Sequence, residues 1–171
     1  KTQENGDFLV SWSSINNTLA RKGKRPGVPN QQINYTVNST FTGNVFYGAY
    51  GWWRSPGETG IESAVEYYVV ENYGVNKPTD GGDLAGIVNS DGADYEVYII
   101  PKYGQPNVYG IKDFTQIKCI RVKDKLRSSG TITMANHFNK WASLGWPVGD
   151  LHEVSMKIEG YSNGPQDPTE G

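Results

Sequence analysis

Val65-Glu66-Tyr67-Tyr68-Val69-Val70-Glu71 is a run of β-branched and aromatic residues with an acid near each end. Alternation with period two puts Glu66, Tyr68 and Val70 on one face and Tyr67, Val69 and Glu71 on the other. A glutamate in the middle of a strand is disfavoured by propensity and costly to bury, so it needs a wet edge, a cation or a chemical task. A second site of this kind, Lys157-Ile158-Glu159-Gly160-Tyr161, follows 93 positions later and puts Glu159 on the face of Tyr161. Two carboxylates facing each other across a sugar-sized cleft are what glycosidic hydrolysis requires, one as acid/base and the other as nucleophile or base. Two glutamates on solvent-facing strands would give the same pattern, so the pairing has to draw on the rest of the chain.

Outward from these runs, strand signals dominate. Asp7 to Ser13 alternates, with Phe8, Val10 and Trp12 on one parity, and the basic segment Gly23 to Pro29 breaks the pattern. Further strands are predicted over Gln32 to Val37, Val45 to Trp53, Ala64 to Glu71, Ile87-Val88, Tyr95 to Ile100, Asp113 to Arg121, Gly130 to Met134 and Glu153 to Glu159. Gly57 to Gly60 and Asn76 to Gly82 read as loop and turn. Short strands divided by Asp-Gly, Ser-Gly and proline-containing turns predict antiparallel sheets packed face to face. One segment changes period: Phe138, Trp141, Ala142 and Leu144 form an apolar stripe within Asn136 to Leu144, and Gly145-Trp146-Pro147 stops it. The only helix of more than two turns should therefore fall within Thr133 to Gly145, with Trp141 in the core.

A chain of 171 residues fits one domain that can bury a core without staples. Its single cysteine, Cys119, excludes an internal disulfide and reads as a buried apolar thiol. His137 and His152, without a cysteine cluster or an acidic calcium loop, give no metal-site signal. No run is apolar enough to span a membrane as a helix. Sixteen basic against eighteen acidic residues give a formal charge of −2, which argues against nucleic acid as the main partner. The basic clusters Arg21-Lys22-Gly23-Lys24-Arg25 and Lys118 to Arg127 read as solvated turns. Eleven tyrosines and five tryptophans point instead to a neutral, hydroxyl-rich ligand, or to an aromatic β core.

These residues carry a resemblance. Tyr50-Gly51-Trp52 with Arg54-Ser55-Pro56, Val65 to Asn72, Arg127 to Thr133 with Ala135-Asn136-His137-Phe138, and Glu159-Gly160-Tyr161 together make the chain similar to family 11 endo-1,4-beta-xylanases, from about Asn5 to Gly164. The resemblance implies an all-β jelly-roll of two strongly curved antiparallel sheets with one short α-helix. It also implies a single catalytic domain over 1–171 that lacks the usual N-terminal strands.

The implied activity is retaining hydrolysis of internal xylosidic bonds, with Glu66 as nucleophile and Glu159 as acid/base. Tyr50 and Tyr68 match substrate- and nucleophile-holding tyrosines, and Asn17 the neighbour that tunes the acid/base. Gln105 to Gly110, with Pro106, matches a thumb loop, and Gln116 a substrate-facing glutamine. Lys102 stands where an arginine is typical, and Tyr161 joins the supporting set. Xylan and xylo-oligosaccharides are the implied partners, with no nucleic acid, membrane, cofactor or metal. A secreted monomer is implied as well. Departures include an insertion over 57–64, Lys118 at a position usually aromatic and a tail without the closing strand. A weak or non-catalytic xylan-binding relative is the alternative, and the joint presence of Glu66, Glu159, Tyr50, Tyr68 and Asn17 favours the enzyme.

Overall fold

A computed structural model describes residues 7–55 and 64–162. The loop expected over Gly57 to Gly60, most of the 57–64 insertion and the tail after Ser162 lie outside the described residues. The elements are β1 (Asn17–Lys24), β2 (Gln32–Thr36), β3 (Asn44–Arg54), β4 (Ala64–Tyr73), β5 (Asp83–Ser90), β6 (Ala93–Asn107), β7 (Gly110–Arg121), β8 (Ser129–Thr133), α1 (Met134–Ser143) and β9 (Asp150–Tyr161). Seven strands form one sheet in the order β1-β9-β3-β4-β7-β6-β5, and β2 pairs with β8 in a second. This is the all-β jelly-roll with a single short helix that the motifs implied.

Register shifts at Tyr47/Gly48, Trp52/Trp53, Leu84/Gly86 and Lys102/Gln105 bend and twist the large sheet. One ladder in it is parallel, that between β4 and β7, which sets Glu66 beside Gln116 and Tyr68 beside Lys118. Periodicity carries no sign of strand direction, so an all-antiparallel reading was the natural expectation.

Three segments differ from the sequence reading. Asp7 to Ser13 makes only an isolated bridge at Phe8. Its alternation survives as packing, because Phe8, Val10 and Trp12 all lie against Val45, Tyr47 and Ile158. The basic run read as a turn is instead the second half of β1, at one end of the large sheet. Charged side chains on an edge strand deter pairing with another chain, so charge and strand are compatible there. The predicted thumb loop is likewise mostly ladder: β6 runs through Lys102 and Pro106 to Asn107, and the reversal is confined to Val108 and Tyr109.

The core lies between the large sheet, α1 and the small sheet. Tyr67 and Val69 of β4 pack there with Ile117 and Cys119 of β7 and with Met134, Phe138 and Trp141 of α1. The helix buries Met134, His137, Phe138 and Trp141, an i, i+3, i+4, i+7 stripe. Trp141 stacks on Trp53 at 5.4 Å and donates its indole N–H to Cys119 Sγ at 3.0 Å. Burial pushes the Cys119 thiol far above its ordinary range. Asp91, in the β5–β6 turn, accepts from the Thr133 amide (2.9 Å) and hydroxyl (2.7 Å) and so tethers the start of α1. Glu71, on the core face of β4, is fully buried. It accepts 2.6 Å hydrogen bonds from Tyr35 of the small sheet and Tyr95 of β6, and pairs with Arg127.

Candidate active site

The opposite face of the large sheet carries the second half of each alternating pattern. Phe46, Tyr50 and Trp52 of β3, Tyr68 of β4 and Phe114 of β7 pack there as an aromatic floor. They line a cleft of about 950 Å³, together with Asn17, Glu66, Gln116, Lys118, Lys157 and Glu159. Another groove, about 990 Å³, lies under Trp12, Tyr35 and Phe41, but Asp7 is the one acid on its lining. Only the first brings carboxylates together.

Glu66 is 7 % exposed and held by three donors. Gln116 Nε2 lies 2.5 Å from Glu66 Oε2, and the Tyr50 and Tyr68 hydroxyls lie 3.0 and 3.3 Å from Glu66 Oε1. The parallel ladder puts Gln116 in reach, and the β3–β4 register, Trp52 opposite Glu66 and Tyr50 opposite Tyr68, places the tyrosines. Trp52 donates its indole N–H to the Tyr50 hydroxyl at 2.6 Å and fixes its direction. Burial, reinforced by the Glu66 charge, pushes both Tyr50 and Tyr68 upward in pKa, so both stay phenols and can donate.

Glu159 stands across the cleft on β9. Asn17 Nδ2 is 3.3 Å from its Oε1, and the Tyr68 hydroxyl is 3.4 Å from its Oε2. One phenol oxygen therefore touches both carboxylates. Their facing oxygens can be no more than about 6.7 Å apart, the limit set by the 3.3 and 3.4 Å contacts. Tyr68 has a single proton to donate, so it serves one carboxylate at a time.

The remaining candidates divide. Gln116, expected to face substrate, lines the cleft and donates its amide directly to Glu66. Lys102 touches neither glutamate; its Nζ pairs with Asp80 Oδ2 at 3.1 Å. Pro106 lies opposite Ile111 in the β6–β7 hairpin and lines the rim of the cleft. Tyr161 packs edge-on against Phe46 at 6.3 Å and contributes to the wall.

Three polar residues of the cleft were missed or given no role. Asp80, read only as part of a turn, pairs with both Lys102 and Lys118. Burial works to raise the Asp80 carboxyl, yet the two ammonium groups outweigh it and hold it low. Lys118 is 2 % exposed and sits 5.0 Å from both the Phe46 and Tyr68 ring centroids. Burial lowers its ammonium, against the pull of Asp80. Lys157, two positions before Glu159, shares its face by strand parity, and that parity was the available signal. Among the described residues no three His, Cys, Asp or Glu side chains converge as a metal set. No helix among them is long and apolar enough to cross a membrane.

Comparison with known proteins bears on this geometry. The family model described as Glycosyl hydrolases family 11 matches residues 1–168. Ethylene-inducing xylanase 1 of Botryotinia fuckeliana is 36 % identical over 167 residues, covering 97 % of the chain and 56 % of that protein. Endo-1,4-beta-xylanase A of Bacillus pumilus is 35 % identical, with 92 % of the chain and 68 % of that protein covered. Among solved structures, wild-type ENZbleach xylanase superposes with a TM-score of 0.75 at 26 % identity, over 94 % of the chain and 66 % of that protein. The chain thus spans roughly half to two-thirds of the length of these relatives.

Proposed function

The chain belongs to glycosyl hydrolase family 11, and from that premise we propose that it hydrolyses internal β-1,4-xylosidic bonds of xylan, with retention, by double displacement on two glutamates. The observation that carries the reading is the Tyr68 hydroxyl between Glu66 Oε1 and Glu159 Oε2. The ceiling of about 6.7 Å between those oxygens accommodates the roughly 5–5.5 Å of retaining pairs and overlaps only the short end of the roughly 6.5–9.5 Å of inverting ones.

In this reading Glu66, supplied with three donors, attacks the anomeric carbon as a carboxylate. Glu159 gives a proton to the departing sugar oxygen and then takes one from the water that releases the glycosyl-enzyme. Tyr50 and Tyr68, kept as phenols by burial, hold Glu66 in line. Trp52, Phe46 and Phe114 are buried against one another and their neighbours and form the apolar floor that fixes the cleft's shape. Pro106 and Tyr161 shape the rim of a groove open enough to admit a polymer along its length.

Glu66→Gln keeps the shape but cannot attack as an anion. It is expected to fold and bind xylan while losing nearly all release of reducing ends. Wild-type turnover in that variant would remove Glu66 from the nucleophile's role. Xylan assayed beside carboxymethyl cellulose tests the substrate, and first-formed product in the α configuration would rule out retention.

A further inference from the structure

Lys157 takes part in none of the steps above, yet it is the cation closest to the chemistry. It is 4 % exposed. Its Nζ lies 2.7 Å from Glu159 Oε2 and 2.9 Å from the Tyr68 hydroxyl. The ammonium also rests 4.0 Å from the Tyr50 ring centroid and 4.7 Å from that of Tyr68. On the sheet Lys157 stands between Arg21 of β1 and Gly48 of β3. The charged and titratable groups lining the cleft with Glu159 are Arg21 from β1, Tyr50 from β3, Glu66 and Tyr68 from β4, Lys102 and Tyr103 from β6, Lys118 from β7, Lys157 and Tyr161 from its own strand, and Asp80, with the Asn17 amide beside them. Arg21 pairs with Glu153 at 3.4 Å and Lys102 with Asp80 at 3.1 Å. Lys118 is engaged with Asp80 at 2.9 Å, which leaves Lys157 as the cation in contact with Glu159.

Building on Glu159 as acid/base, we propose that Lys157 is its proton reservoir: the proton given to the leaving sugar oxygen is stored on the Lys157 ammonium and arrives through the Glu159 carboxylate. In the first half-reaction Glu66 bonds to the anomeric carbon and the glycosidic C–O bond breaks. Glu159 Oε2 takes a proton from Lys157 and passes it on to the departing oxygen, leaving an amine and a carboxylate. In the second, water attacks the anomeric carbon and the bond to Glu66 breaks. The water's proton passes by Glu159 to Lys157 and restores the ammonium, with no net proton gained or lost.

In bulk water the transfer from ammonium to carboxylate is strongly uphill. Inside a cleft emptied of water by a bound polymer, the neutral amine–acid pair escapes the desolvation penalty that the ion pair carries, so the two states draw together. Buried lysine is a side chain that gives up its proton under such conditions, whereas arginine is not. Lys157 is a positioning residue in this scheme, since it reaches the reacting atoms only through Glu159.

The experiment follows kcat/KM on xylan from about pH 4 to about pH 10 for the wild type, Lys157→Met and Lys157→Arg. The reservoir keeps wild-type activity on the alkaline side. Both variants should lose it, their basic limb retreating by about two pH units or more. Hydrolysis of dinitrophenyl xylobioside, whose leaving group needs no proton, should change less than about threefold. Wild-type behaviour in Lys157→Arg would show that charge alone matters and overturn the proposal, as would a basic limb in Lys157→Met that stays or moves to higher pH. Glu159→Gln separates the premises. Retained xylan turnover there would refute the acid/base assignment, while its loss beside unmoved Lys157 profiles would refute the reservoir alone.

Discussion

Glu71→Gln removes one charge from a carboxylate that is 0 % exposed while keeping its size. Glu71 receives the Tyr35 and Tyr95 hydroxyls at 2.6 Å each, pairs with Arg127, and has Arg121 at 3.8 Å. An amide in its place would turn N–H groups toward guanidinium N–H groups and leave the two arginines without a counter-charge. Breaking a buried charge cluster by removing one partner costs roughly 3–5 kcal/mol. For 171 residues, at about 2.1 cal/mol/K of unfolding entropy per residue, each kcal/mol moves Tm by about 3 °C, so a fall of about 8–14 °C is expected. Because Glu71 faces the core and Glu66 the cleft, turnover per folded molecule at low temperature should stay near that of the wild type. Thermal melts followed by circular dichroism, with xylan turnover measured well below the transition, test both halves. A fall of less than about 3 °C would show that the cluster contributes little, since even the lower bound of the cost predicts more. Lost turnover at unchanged Tm would show that Glu71 acts on the cleft through the strand.

Asn17→Asp sets a second acid 3.3 Å from Glu159 and should move the activity optimum toward acid, since the pair then titrates as a unit; superimposable normalised pH profiles would reject the contact. His137 is fully buried, and burial, with Arg121 adding to it and Asp91 opposing, holds it down to about 3. The unfolded chain binds this proton below about pH 6.5, so the stability His137 provides is complete above that pH and is lost as pH falls toward about 3. The loss is on the order of a few kcal/mol, and His137→Leu should flatten the slope of the urea midpoint over that window; an unchanged slope would exclude His137 as its source.

The strand of Glu66 was legible because both of its faces are buried and chemically different: Tyr67 and Val69 turn inward while Glu66 and Tyr68 turn to the cleft. Parity alone therefore sorted its residues correctly. The helix was legible for the same reason at another period. β1 was not, because Arg21 and Lys22 mark an edge rather than a turn, and composition does not separate the two. Parity placed Lys157 with Glu159, but the 2.7 Å contact of the ammonium with the carboxylate is set by the side-chain rotamers, which spacing does not reveal. Asp80 could not be found at all: its partners Lys102 and Lys118 lie 22 and 38 residues away.

The parallel β4–β7 ladder also governs the order in which the molecule can come into being. Parallel neighbours cannot be joined by a tight turn, and the chain between them must complete β5 and β6 before β7 can dock. Gln116 is 50 residues from Glu66, Tyr68 is 91 from Glu159, and Asn17 is 142 from Glu159. Every one of these contacts closes a long loop, the slow kind of step in folding. Hairpins such as β5–β6 and β6–β7 can therefore form while Glu66 still lacks Gln116 and Glu159 still lacks Tyr68. A refolding chain should regain strand signal well before it regains turnover, because the residues of the cleft meet only when the distant strands of the sheet have joined.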